Sequence, residues 1–207
     1  KNGQKDFFKF INTGTIDRYF SLWDGQHTRY LKSSYNKPIV LKKDLKKLLP
    51  KRYRHASSEK IIVAGVTKDL QCTLDKGQCL AGKSTSIVIP RDLDPKIVLA
   101  ILNSKLMSII YKKTFRSLAL GGGYLNVGPR QLNSLPIIVP SGKIKEDLIR
   151  LVDNMLKLNE ELQKCAKDSD RYRVVQAEIK RVDEQIDQLV YKLYGLTDRE
   201  IKIVEEK

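Results

Sequence analysis

Residues 148–195, LIRLVDNMLKLNEELQKCAKDSDRYRVVQAEIKRVDEQIDQLVYKLYG, decide the architecture of the C-terminal part of this chain. Leu148, Leu151, Met155, Leu158, Leu162 and Cys165 recur at alternating steps of three and four, the heptad seam of a coiled-coil-like helix. Val175, Ile179, Val182, Ile186, Leu189 and Leu193 repeat the pattern. Between the two runs, Lys167-Asp168-Ser169-Asp170 is short and polar, with Asp170 placed to cap the second helix, so an antiparallel hairpin is expected. Gly195 supplies the helix stop. Thr197 and Glu200 have the spacing of a capping box and open a last short helix through Ile201 and Val204.

Working upstream, the period changes. Short β-branched runs broken by Gly, Pro and Asn predict strands at Ile39 to Leu41, Ile61 to Val66, Gln71 to Leu74, Ser86 to Ile89 and Pro136 to Val139. One helix interrupts them, starting near Asp94 or Pro95 and running through Val98, Leu102, Leu106, Ile109 and Ile110. A second is expected over Lys42 to Leu49, with Leu41, Leu45, Leu48 and Leu49 turned inward. The fold class is therefore α+β: residues 1–143 form a mixed small-sheet body, and residues 144–207 form a helical hairpin with a short C-terminal helix, joined through Pro140-Ser141-Gly142. The apolar seams of the hairpin fit its own body, another domain or a second copy equally well.

Charge divides along the same boundary. Residues 1–143 carry 26 Lys+Arg against 9 Asp+Glu, a net of +17, whereas residues 144–207 carry 13 against 15, a net of −2. A surplus so concentrated is the footprint of a surface that sits on a polyanion, most often nucleic acid. The densest cluster is Lys42, Lys43, Lys46, Lys47, Lys51, Arg52, Arg54 and His55. On a helix, Lys42 and Lys46, and Lys43 and Lys47, fall in adjacent rows where like charges repel, with Asp44 the one acid to relieve them, so a phosphate-contacting stripe is favoured over a merely solvated face.

Several function classes are excluded or set aside. The longest apolar runs are far short of the roughly 20 residues a membrane span needs. The first residues, Lys1 to Asp6, lack both an initiator Met and the apolar core of a secretion signal, and read as the start of a fragment. Three cysteines, Cys72, Cys79 and Cys165, without scaffold density fit a reducing, cytoplasmic setting. Cys72 and Cys79 have no second pair to complete a zinc site and read as thiols on neighbouring strands. Gly77 to Ser84 matches G-x-x-x-x-G-K-S letter for letter, but a phosphate loop needs a helix after it, and Thr85 to Pro90 reads as a strand stopped by proline. Gly77 is then a hairpin turn, and Lys83 and Ser84 an exposed strand entry. No nucleophile–base set or paired carboxylates stand at persuasive spacing, so this stretch reads as a binding module without a metal or catalytic residue of its own.

The run Gly121-Gly122-Gly123-Tyr124 reads either as a linking turn or as a loop against which a backbone approaches closely. Its neighbours Lys112, Lys113, Arg116 and Arg130 favour the second, with Gly122 and Gly123 against a phosphate backbone and Tyr124 free to stack or hydrogen-bond.

Five segments occur in order: Phe10-Ile11-Asn12-Thr13-Gly14-Thr15-Ile16-Asp17-Arg18-Tyr19; Leu99 to Leu106; Gly121 to Tyr124; Gln131-Leu132-Asn133-Ser134-Leu135-Pro136-Ile137; and Asp187 to Thr197 with Glu200-Ile201. Together they resemble the C-terminal specificity region of TaqI-like adenine DNA methyltransferases and of the fused type II restriction–modification enzymes similar to them. The resemblance implies a target recognition domain that grips double-stranded DNA opposite an N-terminal methyltransferase domain, which flips out an adenine and methylates N6 from S-adenosylmethionine. The adenine-holding Asn-Pro-Pro-Tyr-type motif and the cofactor glycine motif are absent here, so no cofactor is expected in this stretch. The resemblance carries over architecture and not base contacts.

The side chains expected to face DNA are thus the basic helix cluster, Lys83 and Ser84, the glycine-loop group, and Arg18 within the first segment. Two other readings stay open: a specificity subunit docking separate methylation and cleavage subunits, and an interaction protein whose working part is the coiled-coil hairpin.

Overall fold

The computed structural model describes residues 6–206; the first five residues, on which the reading of the N-terminus largely rests, lie outside it. The body opens with β1 (Phe7–Ile11), followed by β2 (Thr28–Tyr30), β3 (Ser33–Tyr35) and β4 (Ile39–Leu41). Helices α1 (Lys42–Leu48) and α2 (Pro50–Ser57) come next, then β5 (Glu59–Ala64) and β6 (Val66–Thr67). Strands β7 (Cys72–Lys76), β8 (Cys79–Ala81) and β9 (Thr85–Val88) precede α3 (Pro95–Asn103) and α4 (Lys105–Thr114). After β10 (Leu125–Asn126) and α5 (Pro129–Leu132) the chain turns helical, with α6 (Gly142–Leu162), α7 (Asp170–Leu193) and α8 (Asp198–Glu205).

Among the described residues, four small sheets share the strands. One has the order β4-β1-β8, with β1 antiparallel to β4 and parallel to β8; another is the antiparallel β7-β5-β9. The pairs β2-β3 and β10-β6 complete the set. The α+β class stands, and several expectations need correction. The predicted Ile61 to Val66 strand is broken at Gly65, where a Cβ would lie 2.3 Å from the Ser84 carbonyl oxygen. Among the described residues Pro136 to Val139 pairs with no strand, and Gly77 joins strands of different sheets, so its turn is not a hairpin. Cys72 and Cys79 consequently stand in different sheets, both buried, with burial pushing their thiols well above the ordinary range.

The predicted 94–110 helix is two helices. Ser104 leaves the helical region (ψ 151°), and its Oγ caps α4 by accepting from the Met107 amide. Asn103, just before it, fixes the break: its Oδ1 accepts from the Cys72 amide at 2.9 Å while its Nδ2 donates to the Cys72 carbonyl at 3.0 Å. This clamp ties α3 to β7 in the middle of the core.

The hairpin packs on its own body. Leu148, Val152, Met155, Val182, Ile186 and Val190 belong to the same buried cluster as Ile61, Val63, Cys72 and all of Ile97 to Leu102. The inward stripe is wider than a heptad seam, because α6 faces α3 as well as α7, which buries Val152 and Asn159 in addition to the a/d positions. Ser169, not Asp170, caps α7, its Oγ accepting from the Tyr172 amide; Asp170 occupies the first turn, where a carboxylate favours the helix dipole. The Thr197–Glu200 capping box forms as expected, and Gly195 takes the left-handed conformation (φ +67°). Among the described residues no helix is long and apolar enough to cross a membrane.

Candidate nucleic-acid interface

Three concavities indent the body, the second and third sharing Tyr30 as a wall. The largest, about 890 Å³, opens beside the 3-10 turn Thr13–Thr15 and is lined by Arg18, Lys68, Lys105, Lys112, Lys113 and Tyr124, with Asp17, Asp69 and Glu205 among the acids. The second, about 540 Å³, lies between the β2-β3 pair and the start of β9 and is lined by Asn12, Arg29, Tyr30, Leu31, Lys32, Lys83 and Ser84. The third, about 530 Å³, is largely apolar, bounded by Tyr30, Tyr35, Ile39, Leu48, Leu49 and Arg52.

One polar knot joins the first two. Asn12 Oδ1 accepts from the Ser84 amide and hydroxyl, and its Nδ2 donates to the Arg29 carbonyl at 2.8 Å. Thr13 Oγ1 donates to the Ser84 carbonyl and accepts from the Gly65 amide at 3.1 Å. Gly82 must be glycine for this, since a Cβ there would come within 2.6 Å of Asn12 Oδ1. The Asn12-Thr13-Gly14-Thr15 segment is therefore a structural junction that fixes the 80s loop against the first turn. Ser84 spends its hydroxyl inside that junction, and Lys83 beside it projects freely.

The structure sorts the predicted residues by whether their charge is already taken. Arg18 is taken: its Nη1 and Nη2 donate to Asp183 Oδ2 and Oδ1 at 2.8 and 2.6 Å. Lys112 pairs with Asp69 at 2.5 Å, and Arg52 donates to the Ala81 carbonyl at 2.7 Å. Lys42 lies 5.2 Å from the Phe8 ring centroid and Lys46 5.8 Å from that of Tyr53, contacts that leave their charge outward. Lys43, Lys47, Lys51, Arg54, Lys83, Lys113, Arg116 and Arg130 are exposed and form no ion pair among the described residues. Arg130 stands apart on α5 and lines none of the three concavities.

The helix stripe differs from expectation. Only Leu45 turns inward; Leu41, Leu48 and Leu49 are exposed, Leu48 by 72%. The reason is the break at Leu49, where Pro50 starts α2 and redirects the chain, so α1 ends before its Leu face can close over anything. The result is a largely apolar groove with Arg52 and Asp44 as the charged residues of its wall.

At the glycine loop, Gly122 and Gly123 take φ of +73° and +79°, which only glycine adopts freely, and the Leu120 amide closes the loop on the Tyr124 carbonyl at 2.7 Å. Tyr124 is exposed on the cleft wall with the Lys68 ammonium 5.5 Å from its ring centroid. Lys68, Arg29 and Lys32 were not singled out from the sequence. The signal was present for Lys68, a lone cation in the Thr67-Lys68-Asp69 turn, but only the β10-β6 pairing brings it to Tyr124. No carboxylate occurs between Asp94 and Glu146, which leaves the cations of that stretch to find acids elsewhere in the fold.

A family model for the TaqI-like C-terminal specificity domain matches residues 9–137. The chain belongs to this family. The match spans the body, from β1 through the Gln131 to Ile137 segment, and stops before the hairpin. Among solved structures, the type IIL restriction-modification enzyme MmeI in complex with DNA is similar, with a TM-score of 0.51 at 13% identity over 94% of this chain and 29% of that one. At that identity the likeness is one of fold, and it includes the helical hairpin. This chain spans less than a third of the MmeI chain. No curated protein matches the sequence.

Proposed function

We propose that this specificity domain binds duplex DNA sequence-specifically for an adenine-N6 DNA methyltransferase or a fused restriction–modification enzyme, holding the DNA for a catalytic domain outside this chain. The observation that carries the reading is the set of exposed cations that form no ion pair among the described residues: Lys43, Lys47, Lys51 and Arg54 on α1 and α2, Lys83 on the second concavity, and Lys113 and Arg116 at the end of α4. Such cations displace condensed counterions from phosphates and supply affinity without sequence information. The concavities between them admit base edges. Membership of the specificity family and a fold shared with a DNA-bound restriction–modification enzyme support the same reading.

On this reading S-adenosylmethionine and the methyl transfer belong to the N-terminal methyltransferase domain, and the domain described here orients the duplex. The setting is cytoplasmic. The α6-α7 hairpin, which already buries its inner face on the body, offers its outer charged face to the catalytic domain or another subunit.

Fluorescence anisotropy of the 207-residue chain on a random duplex pool, titrated with salt, tests the reading. Binding should weaken steeply with salt, and the Lys43→Glu, Lys47→Glu, Lys113→Glu, Arg116→Glu variant should lose it. Absence of binding at low salt, or a salt-independent affinity, would overturn it.

A further inference from the structure

The β2-β3 pair is a two-stranded ribbon that stands off the body. Its base is anchored: Thr28 is buried, Tyr30 packs edge-on against Phe10 with centroids 5.1 Å apart, and the Arg29 carbonyl accepts from Asn12. Every residue from Leu31 to Lys37 is exposed. The register, with Tyr30 opposite Ser33, leaves a two-residue turn at Leu31 and Lys32. Both take positive φ, +47° and +66°, the mirror-image turn that matches strand twist and is normally supplied by Asn-Gly.

Leu and Lys adopt that conformation at a steric cost, and Leu31 is 74% exposed, so neither packing nor turn chemistry accounts for these residues. Strained side chains held out at the tip of an anchored ribbon are expected where the side chains themselves are used. Arg29, Lys32 and Lys83 line the same groove with no carboxylate among its walls and form no ion pair among the described residues.

A two-stranded ribbon, with strands about 4.8 Å apart, fits a major groove about 12 Å wide. Resting on the reading of this chain as a duplex-binding specificity domain, we infer that the β2-β3 ribbon is a sequence-reading element entering the major groove. Arg29 reads guanine O6 and N7 through its planar fork, Leu31 meets thymine methyl groups, and Lys32 and Lys83 hold the flanking phosphates.

The test is selection from a random duplex pool by the wild-type chain, by Arg29→Ala, and by the double variant Leu31→Asn, Lys32→Gly. The double variant places favoured residues in the turn and should unfold at a higher temperature than wild type. It should nevertheless lose at least tenfold of the preference for the wild-type consensus while binding unselected duplex within about threefold, and Arg29→Ala should relax a guanine position by tenfold to a hundredfold. An unchanged consensus and preference in both variants overturns the inference and leaves duplex binding standing. Wild-type chain that binds the pool but enriches no sequence does the same, whereas wild-type chain that binds no duplex overturns the proposed function together with this inference.

Discussion

Arg18 and Asp183 form a two-point ion pair, at 2.8 and 2.6 Å, between the loop after the first turn and the middle of α7. Both side chains are largely sheltered, and removing one leaves the other charge short of a partner. Arg18→Ala is therefore expected to cost about 2 kcal/mol and to lower the melting temperature by about 5 °C. The slope of DNA affinity against salt should not change, because this cation is already neutralised. Calorimetry beside anisotropy separates the two effects, and a lost salt contact with unaltered stability would return Arg18 to the DNA surface.

Lys60 and Asp75 are the buried pair, 1% and 6% exposed. Every group is satisfied: the ammonium also donates to the carbonyls of Ala56 and Ser58 at the end of α2, and Asp75 accepts from the amides of Gly77, Gln78 and Cys79. The pair thus shapes the turn that leads into β8 and Lys83. Asp75→Ala, which strands an ammonium and three amides, should cost about 3–5 kcal/mol in urea unfolding. A loss under 1 kcal/mol would contradict the assignment.

Asp187 gives a pH dependence. Burial, partly offset by the Lys105 amide bond and reinforced by Asp183, lifts its carboxyl from 3.8 to about 6, and its Oδ2 has no hydrogen-bond partner among the described residues. A raised folded-state value means the native state holds the proton more tightly. The contribution is full below pH 3.8, shrinks as pH rises, and is gone above about 6. Asp187→Asn keeps the amide bond and removes the charge, so its stability relative to wild type should rise by about 2–3 kcal/mol between pH 4 and pH 7. Parallel melting curves across that range would contradict it.

Asn103→Ala should cost about 2–4 kcal/mol, since it leaves the buried Cys72 amide without a partner and its carbonyl with only the Tyr19 amide. Hydrogen exchange at Cys72 reads the loss directly; unchanged protection would mean that the clamp is not needed to hold β7.

The tail was legible because Leu148 to Leu158 and Val175 to Val190 repeat at helical spacing over many turns, and a long period survives local exceptions. The body was harder. Phe7–Ile11 and Cys79–Ala81 are short, and their pairing is set by each other rather than by an alternating pattern. Helix α2 turns only Ala56 fully inward, so its basic sequence gave no periodic signal. Nothing local to Ser104 marks a helix break; the break comes from Asn103, which grips β7 through Cys72, a residue distant in sequence. At the site, composition marked the cations, but which of them are free depends on distant acids: Asp183 for Arg18 and Asp69 for Lys112. Arg29 and Lys32 gain meaning only from a turn geometry that a Leu-Lys pair does not announce.

Lysine-reactivity footprinting with and without duplex DNA, read by mass spectrometry, tests the central claim most directly. Lys32, Lys43, Lys47, Lys83 and Lys113 should become protected, while Lys157, Lys164 and Lys192 on the hairpin keep their reactivity. Protection confined to the hairpin lysines, or none at low salt, would contradict a DNA-binding face on the basic body.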